Sequence, residues 1–206
     1  MEVNQIYKKA KTYGVPVIRS ESHKILKDVV EKIQPNHILE IGTAVGYSGT
    51  LMLSSSTADL ITIEHNKDYR NQAIKNFKSN GLAKRATIVF GDCLVEISKM
   101  LTSNKFNNYF DLIFLDGPKA QYNTLLEGLI KMLKPEGTLI VDNVLFRGYV
   151  NAEETAPTRR YKTIIKRLNT FIENCKNNPN ISEFNLINKE DGIIIAKKGT
   201  KWTIKK

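Results

Sequence analysis

The 206-residue chain has few residues of the kinds that define several protein classes. Its two cysteines, Cys93 and Cys175, are too few for a disulfide framework, which is typical of a protein of the reducing cytoplasm. Its three histidines lack the spacing of zinc ligands. No apolar run approaches the roughly 18 residues that span a bilayer, and the polar, basic N-terminus does not resemble an export signal. We therefore expect a cytoplasmic protein without a membrane partner.

The charge balance is strongly basic. The chain has 31 lysines and arginines against 21 acids, for a net charge of +10. Such an excess attracts phosphate backbones, so nucleic acid is one candidate partner. The alternative is compositional, because an AT-rich genome encodes many lysines, asparagines and isoleucines whatever the partner. Charge alone leaves the two explanations open.

Apolar runs alternate along the chain with segments of helical period, which is typical of a parallel sheet covered on both faces by helices. The predicted parallel strands are 37–41, 60–64, 86–90, 110–115 and 138–141. Two closing strands, 181–187 and 193–197, are joined by a tight turn at Glu190-Asp191-Gly192. The predicted helices are 47–55, 68–79, a short helix from 94, 121–133 and 159–177. The pattern predicts a doubly wound α/β fold.

Three regions are predicted along the chain: an N-terminal helical segment over 1–35, a ligand-binding domain over 36–198 and a basic tail over 199–206. The first region is predicted to contain two helices broken near Gly14-Val15-Pro16. The connection 143–158 is long and follows a central strand, where substrate loops usually lie. Its apolar residues Val144, Leu145 and Phe146 are expected to be exposed, in a dimer interface or a substrate lid.

The first strand runs into the loop Gly42-Thr43-Ala44-Val45-Gly46, whose small residues let the backbone approach a ligand closely. A dinucleotide fingerprint would need glycine at positions 42, 44 and 47, but the chain has Ala44 and Tyr47. No Gly-Lys-Ser/Thr follows, which excludes a P-loop. The loop therefore disfavours an NAD-dependent oxidoreductase and favours a nucleoside ligand without a pyrophosphate.

Acids follow the next two strands at the same edge of the predicted sheet. Glu64 ends the second strand, 22 positions after Gly42, where an acid can accept hydrogen bonds from ribose hydroxyls. Asp92 follows the third strand, near the expected adenine ring. Either acid could instead be a turn residue, and Asp92 could cap the helix that follows. With Gly42 they predict a nucleoside site.

Polar residues also follow the fourth and fifth strands. Asp116 comes directly after FDLIFL, and Asp142-Asn143 comes after TLIV. Carboxylate and amide oxygens form the hard site that Mg²⁺ prefers. Lys119 is the predicted general base, because a neighbouring cation would favour its neutral amine. The alternative is that both acids are caps or turn residues and that Lys119 is a solvated surface charge.

Several motifs between about Pro16 and Lys198 resemble those of class I O-methyltransferases of the catechol and caffeoyl-CoA type. They are ILEIGTAVGYSG, TIEHN, GDCLV, DLIFLDGPKAQY, and DNVLFRGYV followed by TRRYK. The last pair is the most specific, and it is most similar to the bacterial tRNA 5-hydroxyuridine methyltransferases. The chain differs from many of these relatives in its shorter N-terminus and in Gly117-Pro118, where they have alanine-like residues.

The resemblance implies a single Rossmann-like, mostly parallel seven-stranded sheet ending in an antiparallel hairpin, in a protein that forms a homodimer. It also implies S-adenosylmethionine as methyl donor. The predicted donor contacts are Ile18, Gly42, Ser48, Glu64, Asp92, Cys93 and Asp116. The resemblance further implies Mg²⁺ ligation by Asp116, Asp142 and Asn143, with Lys119, beside Asp116, as the catalytic lysine.

Methyl transfer to oxygen needs a positioned, ionised hydroxyl, and a metal that binds two acceptor oxygens requires them to be adjacent. A small catechol-like phenol meets this requirement, as does 5-hydroxyuridine, whose O5 and O4 are neighbours. The family likeness favours 5-hydroxyuridine at the wobble position of the tRNA anticodon loop, giving 5-methoxyuridine. The small phenol is the alternative, and a non-catalytic nucleoside-binding module is a second alternative.

Basic and aromatic residues add to the case for tRNA. They are Arg147, Arg159-Arg160 and the lysine-rich end 197–206 with Trp202. Single-stranded loops expose bases that such side chains can grip. The alternative is that the end of the chain is frayed and that the arginine pair serves only the helix.

Overall fold

The computed structural model describes residues 3–146, 148–151 and 158–203, so Arg147, Lys205 and Lys206 of the predicted RNA-binding set lie outside the described residues. The chain divides into two compact units, Met1–Glu96 and Ile97–Lys206. The strands found in the described residues are β1 (His37–Ile41), β2 (Asp59–Glu64), β3 (Ala86–Phe90), β4 (Phe110–Leu115), β5 (Leu133–Asp142), β6 (Ile181–Ile187) and β7 (Ile193–Lys198).

These strands form one sheet in the order β3-β2-β1-β4-β5-β7-β6. The pairs β1–β2, β2–β3 and β4–β5 are parallel, whereas β7 is antiparallel to both β5 and β6. The predicted mostly parallel seven-stranded sheet with a C-terminal antiparallel hairpin is confirmed. The predicted division into 1–35, 36–198 and 199–206 stays a prediction.

The first unit places four helices around the strands β1 to β3. They are α1 (Val3–Thr12), α2 (Ser20–Ile33), α3 (Tyr47–Ser54) and α4 (Lys67–Ser79). Helix α4 begins where the Asn66 side chain accepts hydrogen bonds from the backbone nitrogens of Asp68 (2.9 Å) and Tyr69 (3.0 Å), which satisfies two otherwise unpaired donors. Helix α5 (Cys93–Thr102) follows β3 and leads out of this unit.

Helix α3 is buried along nearly its whole length, from Tyr47 to Leu53. Its Gly49 allows a close approach to the core, because a Cβ at this position would lie 2.9 Å from both Leu60 Cδ2 and Phe77 Cζ. Leu60 and Phe77 are themselves almost fully buried. The tight packing fixes the helix that follows the glycine loop.

The second unit is built on β4 to β7 and two helices, α6 (Tyr122–Met132) and α7 (Arg159–Lys176). Short 3-10 turns at Lys119–Gln121 and Tyr149–Asn151 lie on the connections after β4 and β5. The fully buried Tyr122 and Phe171 rings meet edge to face, with centroids 5.4 Å apart, and join α6 to α7. This contact anchors α7 beneath the connection that follows β5.

Strand β5 begins earlier than predicted. The sequence indicates a turn at 135–137 before a strand from 138, but the strand already starts at Leu133. Residues 134–137 form an irregularity within it, marked by Glu136 at φ 63° and a register shift opposite Phe110 and Leu112. The predicted turn is therefore present as this irregularity, but the pairing of Leu133 with Phe110 starts the strand before it.

No helix in the described part of the chain is long and apolar enough to cross a membrane.

The packing at Gly49 gives a stability prediction. We expect Gly49→Ala to lower the free energy of unfolding by about 1–3 kcal/mol through overpacking, which outweighs a gain of about 1 kcal/mol in helix propensity. Urea unfolding measures the change. Phe77→Leu removes the ring atom that the new methyl group would meet, so Gly49→Ala should cost less in that background. An equal cost in both backgrounds would contradict the packing explanation.

Candidate active site

In the glycine loop, residues 42–46, every second residue has a left-handed backbone conformation. Gly42, Ala44 and Gly46 have φ values of 102°, 44° and 79°. The Gly42 nitrogen donates a hydrogen bond to the Ile63 carbonyl at 3.1 Å, which ties the loop to the end of β2. Ala44 occupies one of the positions where the dinucleotide pattern has glycine, and it adopts a left-handed conformation despite its Cβ.

Glu64 organises this loop from the end of β2. Its Oε2 accepts a hydrogen bond from the Ala44 nitrogen at 2.8 Å, and its Oε1 accepts one from the Asn66 nitrogen at 2.8 Å. The side chain is only 6% exposed. Each carboxylate oxygen has a second lone pair, so Glu64 can still accept from a diol of a bound ribose. The acid therefore first positions the loop, and its predicted ribose contact stays a prediction.

A second acid, Glu40, is fully buried in β1 beneath the loop. Ser48 Oγ donates to its Oε1 at 2.5 Å, and Thr62 Oγ1 donates to its Oε2 at 2.6 Å. The Thr62 and Thr43 hydroxyls are themselves 2.6 Å apart. Burial raises the pKa of the Glu40 carboxyl to about 7, against the two hydrogen bonds that lower it. The network joins β1, β2, the loop and the start of α3.

This network gives Ser48 a partner within the protein. Its hydroxyl is 6% exposed and is directed to Glu40, so a contact with the donor would use its remaining lone pair or its backbone. Ile18 is also buried, at 3% exposure, on the segment between α1 and α2. The roles predicted for these two residues stay predictions.

Asp92 caps helix α5. Its Oδ1 accepts from the backbone nitrogens of Leu94 (2.9 Å) and Val95 (3.3 Å), and the side chain is exposed. Asp92 therefore makes the helix-capping contacts that the sequence offered as an alternative. Its contact with adenine stays a prediction. The neighbouring Cys93 is 6% exposed, and burial raises the pKa of its thiol to about 11. Such a thiol is a poor nucleophile at neutral pH, which favours a lining role.

The two N-terminal helices contact the start of α3. The Tyr47 ring lies 5.4 Å from the Tyr7 ring and 5.6 Å from the His23 ring, and His23 Nδ1 and the Tyr47 hydroxyl are hydrogen bonded. Burial, followed by the charge of Lys27, lowers the pKa of His23. Burial also raises the pKa of Tyr47 to about 12. Both groups are therefore neutral at physiological pH.

A cavity of about 440 Å³ in the first unit lies where sequence reasoning expected no site. It is lined by Val45 of the glycine loop together with residues of α1, α4 and the segment after α1. None of the predicted donor-binding residues of this unit lines it. Glu64 and Ser48 are held by hydrogen bonds near the ends of β1 and β2, whereas this cavity is lined mainly by residues of α1 and α4.

In the second unit, the structure joins Lys119 to Asn143. Lys119 Nζ donates to Asn143 Oδ1 at 3.1 Å, and both side chains are half-buried. Lys119 is therefore not a fully solvated side chain, since Nζ is directed to a residue of the predicted metal site, and its role as a base stays a prediction. Asp116, half-buried at the end of β4, lies three positions before Lys119 on the same loop.

Asp142 and Asn143 form a sharp corner at the end of β5. Asp142 is fully buried, its Oδ1 accepts from the Asn143 nitrogen at 2.8 Å, and its backbone carbonyl accepts from the Tyr122 hydroxyl at 3.2 Å. Asn143 has a φ of 60°, a left-handed value that asparagine tolerates better than most residues. The corner turns the Asn143 side chain towards Lys119.

The donor set of this corner is compatible with Mg²⁺. No group of three or more His, Cys, Asp or Glu side chains within residues 3–146, 148–151 and 158–203 is placed to hold a metal ion. A magnesium site would therefore use the two carboxylates Asp116 and Asp142 and the amide oxygen of Asn143. Mg²⁺ accepts such a set because it binds few protein oxygens and keeps several waters. The chemistry of the residues fits the ion.

The expectation that Val144 and Leu145 are exposed is wrong. They are 0% and 1% exposed, because their backbone nitrogens donate to the β6–β7 turn, at Gly192 (3.1 Å) and Asp191 (2.7 Å). Periodicity could not reveal a partner about 47 residues away in the chain. These two residues cannot supply the exposed apolar surface predicted for an interface or lid.

An aromatic cluster follows them. The Phe146 and Tyr161 rings meet edge to face with centroids 5.1 Å apart, and Tyr149 lies 5.8 Å from Tyr161 and 6.3 Å from Phe146. All three rings are partly exposed. We call these three residues the aromatic cluster; sequence reasoning missed it as a unit, although DNVLFRGYV and TRRYK both contain its members.

The basic residues predicted to bind RNA divide into two kinds. Arg159 and Arg160 are exposed in the first turn of α7, a turn without an acid. Lys198 is only 4% exposed and donates to the Asn108 side chain (2.6 Å) and the Leu133 carbonyl (2.7 Å), so it is not a surface cation. Trp202 is 46% exposed with Lys198 Nζ 5.1 Å from its ring.

The segment around Trp202 is not frayed, since Asn180 and Thr203 exchange two hydrogen bonds between side chain and backbone. Glu40 is a buried polar residue of the first unit that sequence reasoning missed. Its signal was an acid between the apolar residues Leu39 and Ile41, two positions before Gly42.

The sheet order and the site geometry define an α/β, Rossmann-like methyltransferase fold. A Staphylococcus aureus protein assigned provisionally as a caffeoyl-CoA O-methyltransferase has the same fold, with a TM-score of 0.88, 28% identity and coverage of 97% of this chain and 93% of that one. A Bacillus cereus O-methyltransferase solved in complex with SAH superposes with a TM-score of 0.80 at 22% identity, covering 95% and 90%.

The sequence comparisons agree. Residues 3–199 match the O-methyltransferase family, and the chain therefore belongs to that family. Caffeoyl-CoA O-methyltransferase 3 of Nicotiana tabacum is 26% identical over 151 residues, which cover 72% of this chain and 62% of the relative. The chain thus spans about three fifths of the length of the curated relatives it matches first.

The buried Glu40 gives a prediction of pH dependence. Since its pKa is raised in the folded protein, the folded state binds more protons than the unfolded state, and this contribution to stability is lost as pH rises through about 7. We expect the free energy of unfolding of the wild type to fall by about 3 kcal/mol between about pH 4 and about pH 8 because of this group. Glu40→Gln, which mimics the protonated acid, should not show this fall. Urea unfolding of both proteins across this range measures the difference. If the free energies of unfolding of the two proteins differ by the same amount at every pH, the raised pKa of Glu40 is contradicted.

Proposed function

We propose that the protein transfers a methyl group from S-adenosylmethionine to a hydroxyl that lies beside a second oxygen. The favoured acceptor is 5-hydroxyuridine at the tRNA wobble position, and the product is 5-methoxyuridine. The observation that carries the proposal is the contact between Lys119 and Asn143, which brings the predicted base onto a predicted metal ligand.

The donor assignment is supported by the family and by the first unit. The related Bacillus cereus enzyme binds SAH, the product of the same donor. The glycine loop and Glu64 present backbone donors and a carboxylate of the kind that holds a nucleoside. S-adenosylmethionine carries no phosphate, which agrees with Ala44 and Tyr47 where a pyrophosphate-binding loop has glycines.

The acceptor chemistry uses residues of the second unit. Mg²⁺ held by Asp116, Asp142 and Asn143 would supply a Lewis acid that favours the ionised form of an acceptor hydroxyl. Lys119 is the proposed base, which takes the hydroxyl proton at Nζ. The acceptor oxygen then forms a bond to the donor methyl carbon as the carbon–sulfur bond breaks, leaving SAH and a methyl ether. The buried corner at Asp142 positions Asn143, which accepts a hydrogen bond from Lys119.

The choice of RNA as acceptor is supported by charge placement on α7. Two arginines in the first turn of a helix lie at the positive end of its dipole, where a cation destabilises the helix. The first turn of α7 contains no acid that could offset the charge of the exposed Arg159 and Arg160. Phosphate groups would offset this repulsion. The neighbouring aromatic cluster offers rings on which a base can stack.

A small catechol-like acceptor is the second candidate. It satisfies the same requirement for two adjacent oxygens, and the aromatic cluster would contact a phenol ring as readily as a base. The similarity to caffeoyl-CoA O-methyltransferases favours it. It leaves the exposed arginine pair without a role.

Metal removal tests the acceptor chemistry. We expect excess EDTA to abolish methyl transfer and added Mg²⁺ to restore it. Asp116→Asn should lower kcat/KM at least about a hundredfold, since the loss of a Lewis acid removes several kcal/mol of transition-state stabilisation. Transfer of a radiolabelled methyl group gives the rate.

Asp111→Asn is the matched control for that variant. Asp111 is on the same strand and pairs with Lys134 at 2.7 Å, away from the end that carries Asp116. Its variant should keep the wild-type rate. Full activity of the wild type in excess EDTA would exclude the metal-assisted reaction.

The acceptor is identified by offering the labelled donor with three substrates: tRNA carrying 5-hydroxyuridine, the same tRNA carrying uridine, and a catechol. We expect label mainly in the first. Arg160→Gln should weaken tRNA binding and reduce the slope of log affinity against log salt by about 1, as for one lost phosphate contact.

Arg167→Gln, an exposed arginine further along α7, is the control and should change the salt dependence less. Label that enters only the catechol would replace the tRNA proposal with the small-acceptor function. Label in neither acceptor, with S-adenosylmethionine still bound, would favour a binding module.

A further inference from the structure

The turn between β6 and β7 packs directly on the residues that follow Asn143. The Gly192 carbonyl accepts from the Val144 nitrogen at 3.1 Å, and the Asp191 carbonyl accepts from the Leu145 nitrogen at 2.7 Å. Asp191 is 9% exposed, and Val144 and Leu145 are almost fully buried. The turn thus covers the chain just beyond the predicted metal ligands.

Only a residue without a side chain fits at the centre of this contact. Gly192 has a φ of 74°, and a Cβ there would lie 2.2 Å from Leu145 Cγ, 2.7 Å from its Cδ1 and 2.8 Å from its Cβ. Leu145 is enclosed and cannot swing away into solvent. Any side chain at position 192 would push the segment after Asn143 out of place.

Asn143 is held from both sides by this hairpin. Before it, Asp142 pairs with Ile193 at the first position of β7. After it, the two hydrogen bonds from Val144 and Leu145 reach the turn. A left-handed conformation at a residue other than glycine persists only where its surroundings determine it, and these contacts do so. The side-chain direction of Asn143, and its contact with Lys119, follow from that backbone corner.

We propose that the Asp191-Gly192 turn is a positioning element of the active site, and that Gly192 is the positioning residue that sets the Asn143 corner. The proposal rests on the proposed function in one respect, the role of Asn143 as a metal ligand. Gly192 itself touches neither metal nor substrate in this scheme. It acts through Leu145 and the backbone of Asn143.

The effect is measured first on metal binding. We expect Gly192→Ala to weaken Mg²⁺ binding by about tenfold or more, as is usual when a residue that orients a ligand is lost. Calorimetric titration with MgCl₂ gives the affinity. Binding of S-adenosylmethionine, whose predicted contacts other than Asp116 lie in the first unit, should stay close to that of the wild type.

Gly81→Ala is the matched control. Gly81 has a φ of 73°, nearly that of Gly192, but a Cβ there would meet no atom within 4 Å. The control variant therefore has nearly the same backbone strain but no steric clash with a neighbouring side chain. It should bind Mg²⁺ as the wild type does, and an equal loss in both variants would refute the positioning role.

A second readout does not depend on metal. The side-chain amide of Asn143 gives a pair of ¹H–¹⁵N signals, assigned by their loss in Asn143→Ala. We expect Gly192→Ala to shift these signals in metal-free protein, and Gly81→Ala to leave them in place. Should the wild type bind no Mg²⁺, the proposed metal site fails, and the shift alone decides whether Gly192 positions Asn143. Unchanged signals overturn the inference.

A third variant covers the case in which Gly192→Ala unfolds. Adding Leu145→Ala removes Cγ and Cδ1, the two atoms nearest to the new methyl group. The double variant should then be folded, with the Asn143 signals nearer to their wild-type positions. A double variant as unfolded as the single one would show that the cost does not pass through Leu145 and would overturn the inference.

Discussion

The structure depends on how backbone groups are satisfied where each parallel strand ends. At that point the chain leaves the ladder while still partly buried, and unpaired N–H groups are costly. Acids provide the acceptors: Glu64 accepts from the Ala44 and Asn66 nitrogens, and Asp142 accepts from the Asn143 nitrogen. Asp92 does the same for the start of α5. The carboxylates that could serve a ligand therefore also shape the loops that surround them.

Because these acids both accept from the backbone at strand ends and are candidates for binding a ligand, the sequence alone could locate the candidate site residues. An apolar strand that runs straight into an acid is visible as a pattern, and the pattern located Glu64, Asp92, Asp116 and Asp142 at strand ends. The fold was predictable for a related reason: strong hydrophobic periodicity set the strands, and β1, β3, β4 and β6 begin and end where predicted. Strand β5 differed because its early start depends on pairing with Phe110, a partner distant in sequence.

What could not be predicted are contacts that depend on distant partners or on backbone conformation. The Asp142–Asn143 corner was visible as two polar residues, but its left-handed turn was not. The burial of Leu145 depends on the absence of a side chain at Gly192, which no local pattern connects to it. The partners of Glu40 come from two separate segments, so its buried network was equally hidden. In each case the feature depends on backbone conformation or on residues distant in sequence, and hydrophobic periodicity carries no information about either.

The two sets of functional residues are organised by separate local contacts. In the first unit, Glu64 and Glu40 hold the glycine loop and the start of α3 through short hydrogen bonds. In the second, the corner at Asn143 is held by Asp142 and by the hairpin turn, while Lys119 reaches its amide oxygen. No hydrogen bond of one set uses a residue of the other among these contacts. Because mutations at residues without shared partners have nearly additive effects, variants of the glycine loop and variants of the Asn143 corner are expected to add. Asp116 is the exception, since it is predicted both to contact the donor and to bind the metal, and its variants are expected to change both.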